Sequence, residues 1–211
     1  LIETALTISD ATDGAFDPTL APVLDAWGFT KDTHRVPSAD ELTELLSHTG
    51  CGKVRFEKTA DGYAVTLLDG AQLDLGGIAK GYAADVLRAQ LEDEGVTSAT
   101  LDLGGDVFVM GSKPDGSGWR IAVKDPADTE SYLGVVSAAD KFIVTSGVYE
   151  RYFEENGVRY HHILDPKTGS PAESGLVSVT VQCENGAWAD ALSTACFVLG
   201  PDGALALRDD L

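Results

Sequence analysis

Apolar positions recur at helical spacing early in the chain. The run Pro-Thr-Leu-Ala-Pro-Val-Leu-Asp-Ala-Trp predicts a helix over 18–27, with Asp17 as its N-cap and Pro18 at its first position. Ser38-Ala39-Asp40-Glu41 has the form of a capping box and leads into Leu42, Leu45 and Leu46, predicting a second helix. The period then shortens. Residues 63–68 and 71–75 read as strands joined by Asp69-Gly70, a strong hairpin signal. A helix is predicted from about Ile78 to Glu94, closed by Gly95. Strands are predicted over 99–103, 107–110, 119–123, 142–145, 159–164 and 177–183. A helix over 187–199 follows, then a short helical stretch after Gly200-Pro201.

Strands outnumber helices and adjoin through short turns. The fold class read from this is α+β (mixed α/β), with a largely antiparallel sheet and packed helices. No Pro-, Gly- or Ser-rich linker divides the chain, so residues 1–211 read as one unit. Leu-Asp-Leu-Gly-Gly occurs twice, at 73–77 and 101–105, each copy read as a strand ending in a tight turn.

Composition narrows the function classes. Acidic residues outnumber basic ones 34 to 15, a net charge of −19 that repels a nucleic-acid backbone. A diphosphate ligand would need a local device to offset that field. No apolar run approaches the roughly 18 residues of a membrane span. Cys51, Cys183 and Cys196 show no Cys-x-x-Cys spacing, which argues against a zinc site or a disulfide scaffold.

Three places could carry chemistry. Asp190, Ser193 and Thr194 share one helical face, an oxygen cluster suited to Mg²⁺ or Ca²⁺; equally, Asp190 could cap a backbone and the hydroxyls bond back to their own helix. Gly76 and Gly77 precede a helix carrying Lys80 in its first turn, a phosphate-friendly junction or simply a glycine turn with a surface lysine. His161 and His162 fall on opposite faces of the predicted strand before the Asp165-Pro166-Lys167-Thr168-Gly169 turn, so one can face a site as a general base, or both can be structural. On this reading His161→Asn would be nearly silent. A hard metal site, a phosphate junction and a base together are the parts of phosphoryl transfer.

Six blocks occur in order: Gly14-Ala15-Phe16-Asp17-Pro18-Thr19, Asp74-Leu75-Gly76-Gly77-Ile78-Ala79-Lys80-Gly81-Tyr82, Leu103-Gly104-Gly105-Asp106, Thr145-Ser146-Gly147, His162-Ile163-Leu164-Asp165-Pro166-Lys167-Thr168-Gly169 and Ala189-Asp190-Ala191-Leu192-Ser193-Thr194-Ala195. In these blocks the sequence resembles the ApbE family of FAD:protein FMN transferases. The resemblance implies a T-fold-like architecture. It also implies Mg²⁺-dependent transfer of FMN from FAD to a Thr or Ser hydroxyl of flavoprotein subunits of membrane redox complexes, with release of AMP. Hydrolysis of FAD to FMN and AMP is the alternative, and a non-catalytic flavin binder a third reading. By matching position, the resemblance assigns Mg²⁺ to Asp190 and Thr194, with Ser193 alongside and the Gly77 carbonyl completing the set. FAD falls to Ala15, Phe16, Asp17, Asp74, Lys80 and Leu164, and the catalytic base to His162, with Asp106 and Asp165 as the next candidates. It further implies an extracytoplasmic, lipid-anchored bacterial protein, of which this chain lacks the N-terminal strands and the C-terminal end. The family commonly has Asp after Thr-Ser-Gly, where this chain has Val148.

Overall fold

A computed structural model describes residues 1–31, 33–128 and 130–210. The helices are α1 (Ile2–Ala11), α2 (Ala21–Trp27), α3 (Ala39–Leu46), α4 (Ala79–Asp93) and α5 (Gly186–Asp210). The strands are β1 (Val54–Thr59), β2 (Gly62–Leu67), β3 (Ala99–Asp102), β4 (Val107–Met110), β5 (Trp119–Lys124), β6 (Tyr132–Ala138), β7 (Lys141–Gly147), β8 (Tyr152–Glu155), β9 (Val158–His161) and β10 (Ser178–Cys183). The fold is mixed α/β, and all its paired strands run antiparallel among the described residues.

The residues group into two compact units. One contains Leu1–Leu75, Val148–Leu176 and Thr194–Leu211; the other contains Gly76–Gly147 and Val177–Ser193. The second unit is built on a four-stranded sheet in the order β10-β7-β4-β3, with β5 and β6 forming a separate ribbon. Phe108 and Phe142 stack at its centre, ring centroids 4.3 Å apart, among Ala84, Met110, Val144 and Ala189. Each phenyl ring is at most 1% exposed, and burying a side chain of this size contributes roughly 2–3 kcal/mol. The first unit packs α2 and α3 around Leu20, Val23, Trp27, Leu42 and Leu164, and the Trp27 indole donates to the Gly169 carbonyl at 2.7 Å.

Local chemistry explains where elements start and stop. Ser38 accepts from the Glu41 N–H at 3.2 Å, so the N-cap forms as predicted, but the Glu41 carboxylate pairs with Arg35 instead of closing the box. Gly95, at φ +78°, follows the end of α4. Gly200, at φ +74°, breaks α5, and the helix restarts at Pro201 as the sequence predicts.

Four expectations are corrected. The first is the helix over 18–27, which begins only at Ala21, because Asp17 Oδ1 accepts from the Thr19 N–H and hydroxyl (2.8 and 2.6 Å) and closes a turn instead of capping a helix. Asp69 and Gly70 do turn, with φ +53° and +76°, but join no hairpin. β2 pairs backwards with β1, and residues 71–75 hold only a parallel bridge between Gln72 and Leu20. The predicted strand over 159–164 ends at His161, beyond which the chain bends before a short bridge between Leu164 and Pro171. The repeated Leu-Asp-Leu-Gly-Gly is a repeat of letters only. Gly104 and Gly105 adopt positive φ and Asp102 accepts from the Gly105 N–H, whereas the first copy contains no strand.

Candidate active site

The second unit brings α4 and α5 together at a glycine contact. A Cβ on Gly81 would lie 2.0 Å from the Gly186 carbonyl oxygen, and one on Gly186 would lie 2.3 Å from the Gly81 oxygen. Only two glycines let the helix starts approach so closely. We expect Gly81→Ala to cost about 3 kcal/mol in denaturant unfolding, since backbone rather than a yielding side chain must shift. A loss under roughly 0.5 kcal/mol would mean the contact is softer than it looks.

At this contact each helix satisfies the other. The start of α4 has no side-chain cap of its own. Asp190 of α5 supplies one, its Oδ2 accepting from the Gly81 N–H at 3.0 Å. In return Asp85 of α4 accepts from the Gly186 and Ala187 N–H groups at 2.8 and 2.9 Å. The capping alternative for Asp190 is thus realised, and it does not use up the carboxylate. Asp190 is 5% exposed, and burial pushes its pKa up to about 6 against the pull of the Gly81 N–H. The neighbouring Asp106 carboxylate raises it further, while Lys80 lowers it. Asp106 is itself 4% exposed and pairs with the Lys80 ammonium at 2.8 Å.

Two buried carboxylates therefore share the field of one lysine, which is half exposed. A second cation would relieve that arrangement, and a hard divalent ion suits the available oxygens. The resemblance assigns such an ion to the Asp190 carboxylate, to the carbonyl of Gly77 in the turn before α4, and to Thr194. Among the described residues no three His, Cys, Asp or Glu side chains converge as a metal cluster. Ser193 is fully buried and its hydroxyl is engaged internally, donating to the Asp190 carbonyl at 2.7 Å and lying 2.6 Å from Ser146 Oγ.

Lys80 is committed to Asp106. On the role the resemblance implies for it, Lys80→Ala is expected to raise KM for FAD more than it lowers kcat. The same variant should lower Tm, because Asp106 stays buried without its ammonium. A fall in kcat larger than the rise in KM would make Lys80 a transition-state charge.

The first unit holds the remaining candidates. Ala15 and Phe16 are buried just after α1, with the Phe16 N–H bonded to Thr12 Oγ1. Asp74 donates its N–H to the Pro18 carbonyl at 2.8 Å, bringing it beside the Asp17 turn. Leu164 is 4% exposed and its side chain belongs to the core, leaving its main chain as the part able to meet a ligand. Asp165 is spent on its own turn, accepting from the Lys167 N–H.

His162 Nδ1 lies 3.1 Å from the Arg151 carbonyl. A carbonyl can only accept, so Nδ1 carries the proton and Nε2 the lone pair, the tautomer a base needs. The Phe29 ring meets the imidazole edge-on, centroids 6.3 Å apart. His161 turns the other way. It is 9% exposed, packs against Phe197, and burial lowers its pKa. The expected silence of His161→Asn is therefore corrected: an amide there would disturb packed core. Asp85, Ser146 and the Arg151 carbonyl were not foreseen, because a cap or tether supplied from a distant element leaves no local pattern.

Comparison with known proteins identifies the family. A model of the ApbE family matches residues 1–211. A protein of Treponema pallidum named FAD:protein FMN transferase is 40% identical over 98% of this chain and 61% of its own length. One of that name from Klebsiella pneumoniae is 38% identical over 99% of this chain and 64% of its own. A crystal structure of the ApbE protein of Thermotoga maritima superposes with a TM-score of 0.90 at 42% identity, covering 99% of this chain and 66% of that one. The flavin transferase ApbE of Vibrio cholerae gives 0.86 at 32% identity, covering 99% and 66%. The chain spans just over six tenths of the length of these curated relatives. With the family match running from its first residue to its last, the chain belongs to the ApbE family.

Proposed function

We propose that this protein is an FAD:protein FMN transferase. It takes FAD and an acceptor flavoprotein subunit of a membrane redox complex, joins FMN to a Thr or Ser hydroxyl, and releases AMP. The observation that carries this reading is Asp190: a buried carboxylate with a pKa of about 6, beside a second buried carboxylate, at the start of α4. The names of the relatives support the choice of substrate.

In this reading Mg²⁺ would be held by Asp190, Thr194 and the Gly77 carbonyl, with Ser193 alongside. Bound there, it would offset the diphosphate charge and polarise the phosphorus under attack. The chain's own groups do the rest. Ala15, Phe16, Asp17, Asp74 and the Leu164 main chain would hold FAD, and Lys80 would contribute charge near its phosphates. The acceptor oxygen forms a bond to the FMN phosphorus as the bond from that phosphorus to the AMP phosphate oxygen breaks. His162 Nε2 takes the hydroxyl proton, its ring fixed by the Arg151 carbonyl through Nδ1. AMP leaves with the bonding electron pair.

The test is to incubate the full-length protein with FAD, Mg²⁺ and a candidate acceptor, then measure covalent flavin on the acceptor and AMP in solution. Equal amounts of both are expected. AMP and free FMN without covalent flavin would overturn transfer in favour of hydrolysis. The same reading puts the full-length protein outside the bacterial cytoplasmic membrane on a lipid anchor, which fractionation of cells would check.

A further inference from the structure

The Thr-Ser-Gly block at the end of β7 has no role in the reaction above, yet it contacts the helix that carries Asp190. Alternation along β7 puts Phe142, Val144 and Ser146 on one face. The facing stripe of α5 is Gly186, Ala189 and Ser193, at helical spacing. These residues meet in order. A Cβ on Gly186 would lie 2.7 Å from the Phe142 ring, Ala189 packs with Phe142 and Val144, and Ser193 Oγ lies 2.6 Å from Ser146 Oγ. The seam is apolar until its last rung, which is a hydrogen bond. Thr145, on the opposite face of β7, pairs instead with Thr180 across the sheet at 2.8 Å.

Proton counting fixes the direction of that rung. Ser193 has a single hydroxyl proton and gives it to the Asp190 carbonyl at 2.7 Å. Ser146 must therefore be the donor to Ser193. The result is a chain, Ser146 to Ser193 to the Asp190 main chain, ending on the residue whose side chain caps α4. An apolar seam lets a helix roll by a few degrees at little cost. A directed hydrogen bond onto the fully buried Ser193 hydroxyl does not, because a roll that breaks it leaves that oxygen without its donor.

We infer that Ser146 is a positioning residue: acting through Ser193, it sets the rotation of α5 and so holds the Asp190 carboxylate over the start of α4. Ser193 then supports the cation site from behind. The consequence for metal affinity rests on the function proposed above; the consequence for Asp190 itself does not.

Two measurements on the full-length protein separate these. The first is exchange of the Gly81 amide without metal, since that N–H is the one Asp190 caps. In Ser146→Ala it should exchange at least tenfold faster relative to other core amides, and Ser146→Thr, which keeps a hydroxyl, should recover most of the protection. Val144→Ala removes bulk from the same seam without touching the hydrogen bond, and should lower global stability while leaving Gly81 relatively unchanged. The second is calorimetric titration with Mg²⁺ alone, where Ser146→Ala should weaken Kd by 10–100-fold, the usual effect of groups that orient a ligand. Unaltered Gly81 exchange in a folded Ser146→Ala protein, or equal effects from Val144→Ala, would overturn the inference. If the parent protein takes up no Mg²⁺ but Gly81 loosens as described, the positioning role stands and the metal reading falls.

Discussion

Asp190→Asn in the full-length protein is expected to reduce Mg²⁺-dependent flavin transfer by roughly 10²–10³-fold, the several kcal/mol of charge stabilisation a metal supplies. The substitution is close to isosteric, and its amide oxygen can still accept from the Gly81 N–H, so the helix cap survives while the charge is lost. pH gives an independent check. The folded pKa of Asp190, about 6, lies above its ordinary value of 3.8. Stability from this carboxyl is therefore fully present below about pH 4 and is lost as pH rises through 6. In the metal-free parent, Tm should carry a component that falls across that window, and in Asp190→Asn this component should vanish. Mg²⁺ needs the ionised form, so its stabilising effect should grow over the same range. Transfer by Asp190→Asn equal to the parent at saturating Mg²⁺ would show that the ion sits elsewhere.

His162→Asn should lower transfer by roughly 10²–10⁴-fold, the range for removing a positioned general base. FAD binding and Mg²⁺ uptake should persist. Asn can keep the bond to the Arg151 carbonyl through its amide, so the local backbone has no reason to move. His161→Asn offers a contrast of kind. It places an amide against Phe197 in the core, so its signature is a lower Tm with the activity of whatever remains folded intact. If His162→Asn transfers normally, the base is elsewhere. Asp106 and Asp165 are then the remaining carboxylates, the first paired with Lys80 and the second bonded within its own turn.

Elements with strong local signals were legible in the sequence. The N-cap at Ser38, the glycine stop at Gly95, strand β4 and the break at Gly200-Pro201 all follow from adjacent residues. What failed did so for one physical reason. Asp69-Gly70 specifies a turn but cannot say which strands it joins, and β1 outcompeted residues 71–75 for β2. Asp17 and Pro18 look like a helix start, yet Thr19 offers the carboxylate a nearer pair of donors. The ordered sequence blocks assigned candidate residues by resemblance, and helical spacing grouped Asp190 with Ser193. The alternative in which a hydroxyl bonds back to its own helix is realised at Ser193, but spacing could not show its second partner, Ser146, 47 positions away.

The exchange of caps between α4 and α5 also bears on how this protein folds. Asp85 and Gly186 are 101 positions apart, and Gly81 and Asp190 are 109 apart. During synthesis α4 leaves the ribosome long before its capping carboxylate has been made, so its leading amides stay bound to water. Closing a loop of that length costs entropy before any contact rewards it. The paired caps should accordingly form late, after the sheet has assembled, and form together, since docking either helix delivers both. Substitutions at Asp85 should then speed unfolding while leaving the refolding rate nearly unchanged. The geometry that gathers the two buried carboxylates at the start of α4 would be among the last features to mature in a newly made chain.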